Sequence, residues 1–135
     1  MTFAELRTDI VILTCAVSAG IHGALVPDHF GEGTGAGLGF VAATVLLAVL
    51  AIALTVRPAS QLAFAGTAIV FVGLLVSYAL AVTTGVPVVH PERETVDGLA
   101  LFTKAVEVVG VLTAVTALRL PFFSILHMQP KGTLT

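Results

Sequence analysis

Charged residues are scarce in this chain, which also has one cysteine and no tryptophan. Asp, Glu, Lys and Arg make up 10% of its 135 residues, whereas about a quarter is usual in soluble domains. Cys15 alone cannot close an internal disulfide. Six scattered Lys and Arg residues do not supply the clustered positive charge that binds nucleic acid. The composition therefore excludes soluble, disordered, disulfide-stapled and nucleic-acid-binding proteins.

Hydrophobic residues account for 57% of the sequence and form long continuous runs. No charged side chain occurs between Gly33 and Val56, or between Pro58 and Pro91. Each gap exceeds the roughly 20 apolar residues that cross a bilayer as a helix. Because the apolar runs do not alternate with polar residues, strands are not expected. The sequence predicts an all-α, polytopic membrane protein with the lipid bilayer as its first partner.

A single domain, residues 1–135, is predicted to form a bundle of four transmembrane helices. The spans cover about residues 10–26, 37–56, 61–84 and 98–118, and an interfacial C-terminal tail follows at 119–135. We expect Pro27-Asp28 to end the first span and bend the chain. Ser60 is a predicted N-cap for the third span, and Thr95 or Asp97 for the fourth. The glycine-rich stretch 31–37 is expected to be a flexible connection.

Basic residues near span ends predict the orientation, because Lys and Arg favour the cytoplasmic side. The side that holds both termini contains Arg7, Arg57, Arg119 and Lys131, whereas the other contains Arg93. Both termini are therefore expected in the cytoplasm. The two longer loops, 27–36 and 85–97, would then face outward. Their five acids against Arg93 give a formal charge of −4: Asp28, Glu32, Glu92, Glu94 and Asp97.

Four polar residues are predicted to form a cluster in the outer half of the bundle: His22, Tyr78, Lys104 and Glu107. An ionisable side chain at the centre of a bilayer costs about 2.5 kcal/mol or more, so it needs a partner or a function. Lys104 and Glu107 are three residues apart and can neutralise each other. Four roles fit the cluster: a structural network, a proton or ion relay, a quinone or lipid-headgroup pocket, and a metal site.

Small and polar residues recur at helical spacing in three spans, which predicts faces turned toward neighbouring helices. These stripes are Cys15, Ser18, Ala19 and His22 in the first span, Gly66, Gly73, Ser77 and Thr84 in the third, and Thr103, Glu107, Gly110 and Ala114 in the fourth.

The outward loops contain a second candidate cluster, His29, Glu32, His90 and Glu92, whose imidazoles and carboxylates suit Zn or Cu. No pair has CxxC or HExxH spacing, so solvated side chains or a docking surface for another protein fit the same residues. His29 follows His22 by two helical turns, and the two would share a face only if the first helix continued past Pro27.

Other cofactors and catalytic chemistry find little support in the sequence. Haem needs axial ligands at matched depth, but His22 is the histidine within a span, while His90 and His127 lie outside the spans. Neither haem nor quinone is expected as a cofactor. Ser18 and Ser77 have no identifiable base beside them, so the sequence does not predict an enzyme.

Several motifs resemble those of small bacterial four-helix membrane proteins. They are Gly20-Ile21-His22-Gly23, Pro27-Asp28-His29, the stretch from Thr83 to Glu92, and Val96-Asp97 followed by Lys104-x-x-Glu107. In size and topology the chain is similar to the DoxX-like group. That resemblance implies a bacterial plasma-membrane setting, and some members of the group are accessory subunits of quinone-linked oxidoreductases.

Two functions follow as hypotheses. In the first, the protein is a membrane subunit or accessory protein without catalytic activity of its own, docking other subunits or itself through its helices and acidic outer loops. In the second, it handles a metal ion or protons through His22, His29, His90, Glu92, Lys104 and Glu107.

Overall fold

The computed structural model describes residues 1–86 and 93–118, which form four helices and no strand. The helices are α1 (Phe3–Glu32), α2 (Thr34–Val56), α3 (Gln61–Thr83) and α4 (Gly98–Ala117). Each is long and apolar enough to cross a membrane, which confirms the all-helical prediction. The predicted interfacial tail, 119–135, lies outside the described residues.

Side-chain caps explain where three helices begin. Thr2 and Glu5 form a reciprocal capping box at the start of α1. The Ser60 hydroxyl accepts a hydrogen bond from the Ala63 amide, and the Asp97 carboxylate accepts one from the Ala100 amide. Ser60 and Asp97 therefore cap α3 and α4 as predicted.

The first helix is longer than expected, because it continues through Pro27 to Glu32. Gly33 alone separates it from α2, so the predictions of a bend at Pro27-Asp28, an outward loop over 27–36 and a flexible connection over 31–37 are wrong. The Phe30 ring lies directly against Gly37, where any side-chain carbon would overlap it. This contact packs the last turn of α1 against the first turn of α2.

The helices form an up-and-down bundle in which each packs against the next and α4 closes against α1. The Thr8 hydroxyl donates to the Pro58 carbonyl oxygen (3.2 Å), and the Arg7 guanidinium donates to the Thr116 carbonyl oxygen (2.7 Å). The start of α1, the turn at Arg57 and the end of α4 therefore share one end of the bundle, the Arg57 end. Gly33 and residues 84–86 and 93–97 lie at the opposite, Gly33 end.

Apolar residues from all four helices fill the core, with the largest side chains in the half toward the Arg57 end. The fully buried apolar side chains are Val11, Cys15, Leu47, Leu54, Phe71 and Ala114. Phe71 of α3 packs so closely on Gly110 of α4 that a side-chain carbon there would overlap its ring. This close approach fixes the spacing of α3 and α4 just below the polar residues.

Two of the three predicted stripes are buried. All four stripe residues of α1 are buried, as are all four of α4. The α3 prediction is wrong, because Gly73, Ser77 and Thr84 are exposed while Phe64 and Phe71 face the core. An aromatic side chain buries far more apolar area than glycine or serine, so the two phenylalanines decide which face turns inward.

Candidate functional site

A buried ion pair lies where α1 and α4 face each other. The Lys104 ammonium donates to Glu107 Oε2 (2.6 Å), and the Glu107 side chain is fully buried. The Ser18 hydroxyl of α1 donates to the other carboxylate oxygen, Oε1 (3.4 Å). The carboxylate is thus held by one cation and one hydroxyl, from two different helices.

His22 lies beside this carboxylate, one turn beyond Ser18. Its Nδ1 is 2.9 Å from the Ser18 carbonyl oxygen. A carbonyl only accepts hydrogen bonds, which assigns a proton to Nδ1. Nε2 then faces Glu107 Oε1 at 3.9 Å.

Tyr78 of α3 completes the cluster. The Lys104 ammonium lies 5.2 Å from the centre of the Tyr78 ring, within the range of a cation–π contact. The Tyr78 hydroxyl oxygen is buried and makes no hydrogen bond among the described residues. The structure therefore brings together the four residues predicted from the sequence, with Ser18 as a fifth member. We call these five residues the base: Ser18, His22, Tyr78, Lys104 and Glu107.

A second histidine repeats this geometry nearer the Gly33 end. His29 Nδ1 is 2.9 Å from the Leu25 carbonyl oxygen, and Nε2 is 3.8 Å from Glu32 Oε2. Because α1 continues past Pro27, His29 and His22 share a face, contrary to expectation. Phe40 of α2 stacks on His29 with ring centres 3.5 Å apart and lies 5.2 Å from His22.

Three ligand-type side chains converge here: His29, Glu32 and Glu94. One nitrogen or oxygen of each lies within 4.8 Å of the others. We call these three residues the mouth. The predicted metal set included His29 and Glu32, whereas His90 and Glu92 lie outside the described residues. Glu94 was predicted only as an outer-loop acid, because no local motif links it to a histidine 65 positions earlier. Its segment is tied to α3 by a hydrogen bond from its amide to the Ala81 carbonyl (3.0 Å).

A cavity of about 620 Å³ connects mouth and base. All four helices contribute to its walls, and both His22 and His29 line it, as do Tyr78 and Lys104. Four carboxylates also line it: Asp28, Glu32, Glu94 and Asp97. These carboxylates line the part of the cavity toward the Gly33 end, whereas Lys104 pairs with Glu107 at the base.

No known protein family, curated protein or solved structure matches the chain. The likeness to DoxX-like proteins stays a prediction from the sequence. Functional conclusions therefore depend on the geometry of the mouth and the base.

Proposed function

We propose that the protein is a multi-pass protein of the bacterial plasma membrane that binds a divalent transition-metal ion, Zn²⁺ or Cu²⁺, at the mouth. Both termini lie in the cytoplasm in this proposal, so the mouth faces outward. The orientation is supported by Arg93, the single Lys or Arg in the residues that connect the helices at the Gly33 end, against four basic residues on the other side. The observation that carries the metal proposal is the convergence of His29, Glu32 and Glu94 within 4.8 Å.

The three side chains have the chemistry and the spacing of a metal site. Zn²⁺ accepts imidazole nitrogen and carboxylate oxygen at about 2.0–2.2 Å. Two ligand atoms of a tetrahedral zinc site are thus separated by about 3.4 Å, so small side-chain movements close the site. Three protein ligands leave a coordination position open toward the cavity.

The hydrogen bond from His29 to Leu25 prepares the imidazole for a metal. Histidine ligands commonly donate their second ring N–H to a carbonyl, which fixes the tautomer and the ring orientation. Here Nδ1 donates to the Leu25 carbonyl, so the Nε2 lone pair is available beside Glu32. Stacking on Phe40 further restricts the ring.

Zinc titration of the protein in lipid nanodiscs tests the proposal. Isothermal calorimetry should show one site per chain in the wild type. His29→Ala should weaken Zn²⁺ binding by more than the about 10- to 100-fold that loss of an outer-shell partner costs, because it removes the nitrogen ligand itself. Glu32→Gln and Glu94→Gln should each weaken it as well. The matched control is Asp9→Asn, which removes an exposed carboxylate at the Arg57 end and should leave the affinity unchanged.

Tyr78 provides an independent measurement, because it is the only tyrosine and tryptophan is absent. In detergent micelles, which contain no scaffold protein, its fluorescence reports on the cavity alone. Cu²⁺ bound at the mouth should quench this emission at one equivalent, and His29→Ala should remove the quenching. Two results together would refute the metal site. The Zn²⁺ affinities of His29→Ala and Asp9→Asn would be equal, and Cu²⁺ would quench Tyr78 in His29→Ala as it does in the wild type.

A second candidate function is an accessory subunit of a larger membrane complex, in line with the resemblance to DoxX-like proteins. The outward face of α3 favours it. Gly73 and Ser77 are four residues apart and exposed, and a side-chain carbon built at Gly73 has no neighbour within 4 Å. Small residues at this spacing allow a second membrane helix to approach closely.

Mild extraction followed by native mass measurement tests this candidate. The wild type should migrate in a larger assembly, with other subunits or with itself, and Gly73→Leu should release it as a monomer. Leu62→Ala is the control, since Leu62 is exposed on the same helix but outside the small-residue pair. A wild type that is already monomeric after mild extraction contradicts the subunit function without affecting the metal proposal.

A further inference from the structure

The Tyr78 hydroxyl is a buried donor without a partner among the residues that the structure describes. Buried polar groups in native proteins are nearly always hydrogen-bonded, so an exception calls for a ligand or water. Lys104 lies beside the ring and has Glu107 as its one hydrogen-bond partner in the described chain. Because an ammonium has three N–H groups, Tyr78 and Lys104 together offer donors to an oxygen placed between them.

We propose that the base binds a neutral amphiphile: an apolar molecule with a carbonyl or hydroxyl oxygen at one end. This ligand goes beyond the metal ion proposed for the mouth and does not require it. The oxygen would accept hydrogen bonds from the Tyr78 hydroxyl and the Lys104 ammonium.

The charged groups around the cavity favour a neutral head group. An anionic head would have to enter past the four carboxylates that line the wider cavity. A cationic ammonium head has no lone pair with which to accept a hydrogen bond from Tyr78 or Lys104. A carbonyl or hydroxyl avoids both problems and accepts hydrogen bonds.

The walls between mouth and base suit the apolar part of the ligand. The apolar lining is contributed by Leu25, Ala36, Phe40, Ala43, Leu74 and Ala81. A volume of about 620 Å³ lies in the range of about 300–1,000 Å³ that small-molecule pockets occupy. A chain of about ten carbons fits such a space.

Access to this cavity includes a side opening between α2 and α3. Gly39 and Ser77 both line the cavity and are both exposed on the outside of the bundle. A side-chain carbon built at Gly39 meets nothing within 4 Å. In the proposed membrane orientation this opening faces lipid, so an amphiphile would enter from the bilayer with its tail in the opening.

Three probes with matched chains test the proposal in nanodiscs: methyl nonyl ketone, undecane and undecanoate. Thermal unfolding is followed with a thiol-reactive dye, because the single cysteine, Cys15, is fully buried and reacts only on unfolding. The ketone should raise the unfolding temperature at concentrations about three- to tenfold lower than undecane. Undecanoate should not stabilise the protein at neutral pH.

Tyr78→Phe should remove the advantage of the ketone over undecane while leaving the undecane response in place. Thr113→Val is the matched control, because it deletes a hydroxyl that bonds only within α4 and does not line the cavity. If Tyr78→Phe does not fold, the Tyr78 fluorescence of the wild type is measured instead, in detergent micelles. The ketone should quench this emission saturably, and undecane should not. Equal responses to ketone and undecane, or an unchanged ketone advantage in Tyr78→Phe, would overturn the proposal.

Discussion

His22 at the base and His29 at the mouth occupy the same face of α1 with the same local geometry. Each is hydrogen-bonded through Nδ1 to the carbonyl four residues earlier, and each directs Nε2 toward a carboxylate. Their surroundings differ in charge. At the base Lys104 neutralises Glu107, whereas at the mouth one imidazole faces the carboxylates of Glu32 and Glu94.

This difference shows how neighbouring side chains assign different roles to one residue type. The base contains its own cation, so its charge is balanced within the protein. The mouth instead brings one imidazole together with two carboxylates within 4.8 Å, a set of nitrogen and oxygen donors that a divalent metal ion accepts. Changes at the base and at the mouth probe this contrast, beginning with the largest expected effect.

Breaking the ion pair between Lys104 and Glu107 at the base should lower the stability most. Glu107→Leu should destabilise the protein by about 3–5 kcal/mol, because it leaves the Lys104 charge without its carboxylate. The double variant with Lys104→Met should cost less, because both charges are gone. Unfolding followed through Cys15 reactivity measures both. A single variant as stable as wild type would show that the pair does not balance the base.

Replacing a glycine by alanine should lower the stability more at Gly110, below the base, than at Gly37, beside the mouth. Gly110→Ala forces a shift of Phe71, which is fully buried, and should destabilise by about 1–3 kcal/mol. Gly37→Ala meets Phe30, whose 43% exposure lets the ring move aside, so the cost should be less than about 1 kcal/mol. Denaturant unfolding compares the two, and equal losses would contradict this view of a rigid base and an adaptable mouth.

Lowering the pH should weaken Zn²⁺ binding at the mouth. Because protons compete with a metal ion for its ligands, Zn²⁺ affinity should be lower at about pH 5.5 than at about pH 7.5. Calorimetry at several pH values measures the change. The His29→Ala variant is the control, and its residual binding should vary less with pH. A wild-type affinity that stays constant across this range would argue against a histidine ligand.

Phe40 should have the smallest effect. Phe40→Leu removes the ring that stacks on His29 and should weaken Zn²⁺ binding about two- to fivefold, because the imidazole is less restrained. The same titration as for His29→Ala measures it, with Phe102→Leu as an exposed control on α4. A loss as large as that of His29→Ala would mean that Phe40 supports the fold of the mouth and not only one ring.

Periodicity in the sequence predicts the inward faces of α1 and α4, because small and polar residues there recur at helical spacing. It does not predict the inward face of α3, where Phe64 and Phe71 outweigh the glycine and serine stripe. Proline statistics likewise give the wrong end for α1, because they ignore the contact between Phe30 and Gly37. In each case a tertiary contact overrides a local preference.

The base and the mouth also differ in how much of each can be predicted from the sequence. The four predicted residues of the base are identifiable because ionisable side chains are rare within apolar spans. Two of the three mouth residues are predictable, whereas Glu94 joins His29 through the fold and not through any local spacing. Exposed acids are common in loops, so a sequence alone does not distinguish the one that faces a histidine.

The single-residue link at Gly33 also determines the order in which the sites are assembled. His29, Glu32 and Phe40 all belong to the hairpin of α1 and α2, so much of the mouth is present once the first 56 residues have been made. The base includes a hydrogen bond between Ser18 and Glu107, which are 89 positions apart. It therefore forms only after α4 has been made. Contacts close in sequence form early, so a half-synthesised chain already contains the histidine of the mouth, whereas the ion pair of the base forms only with α4.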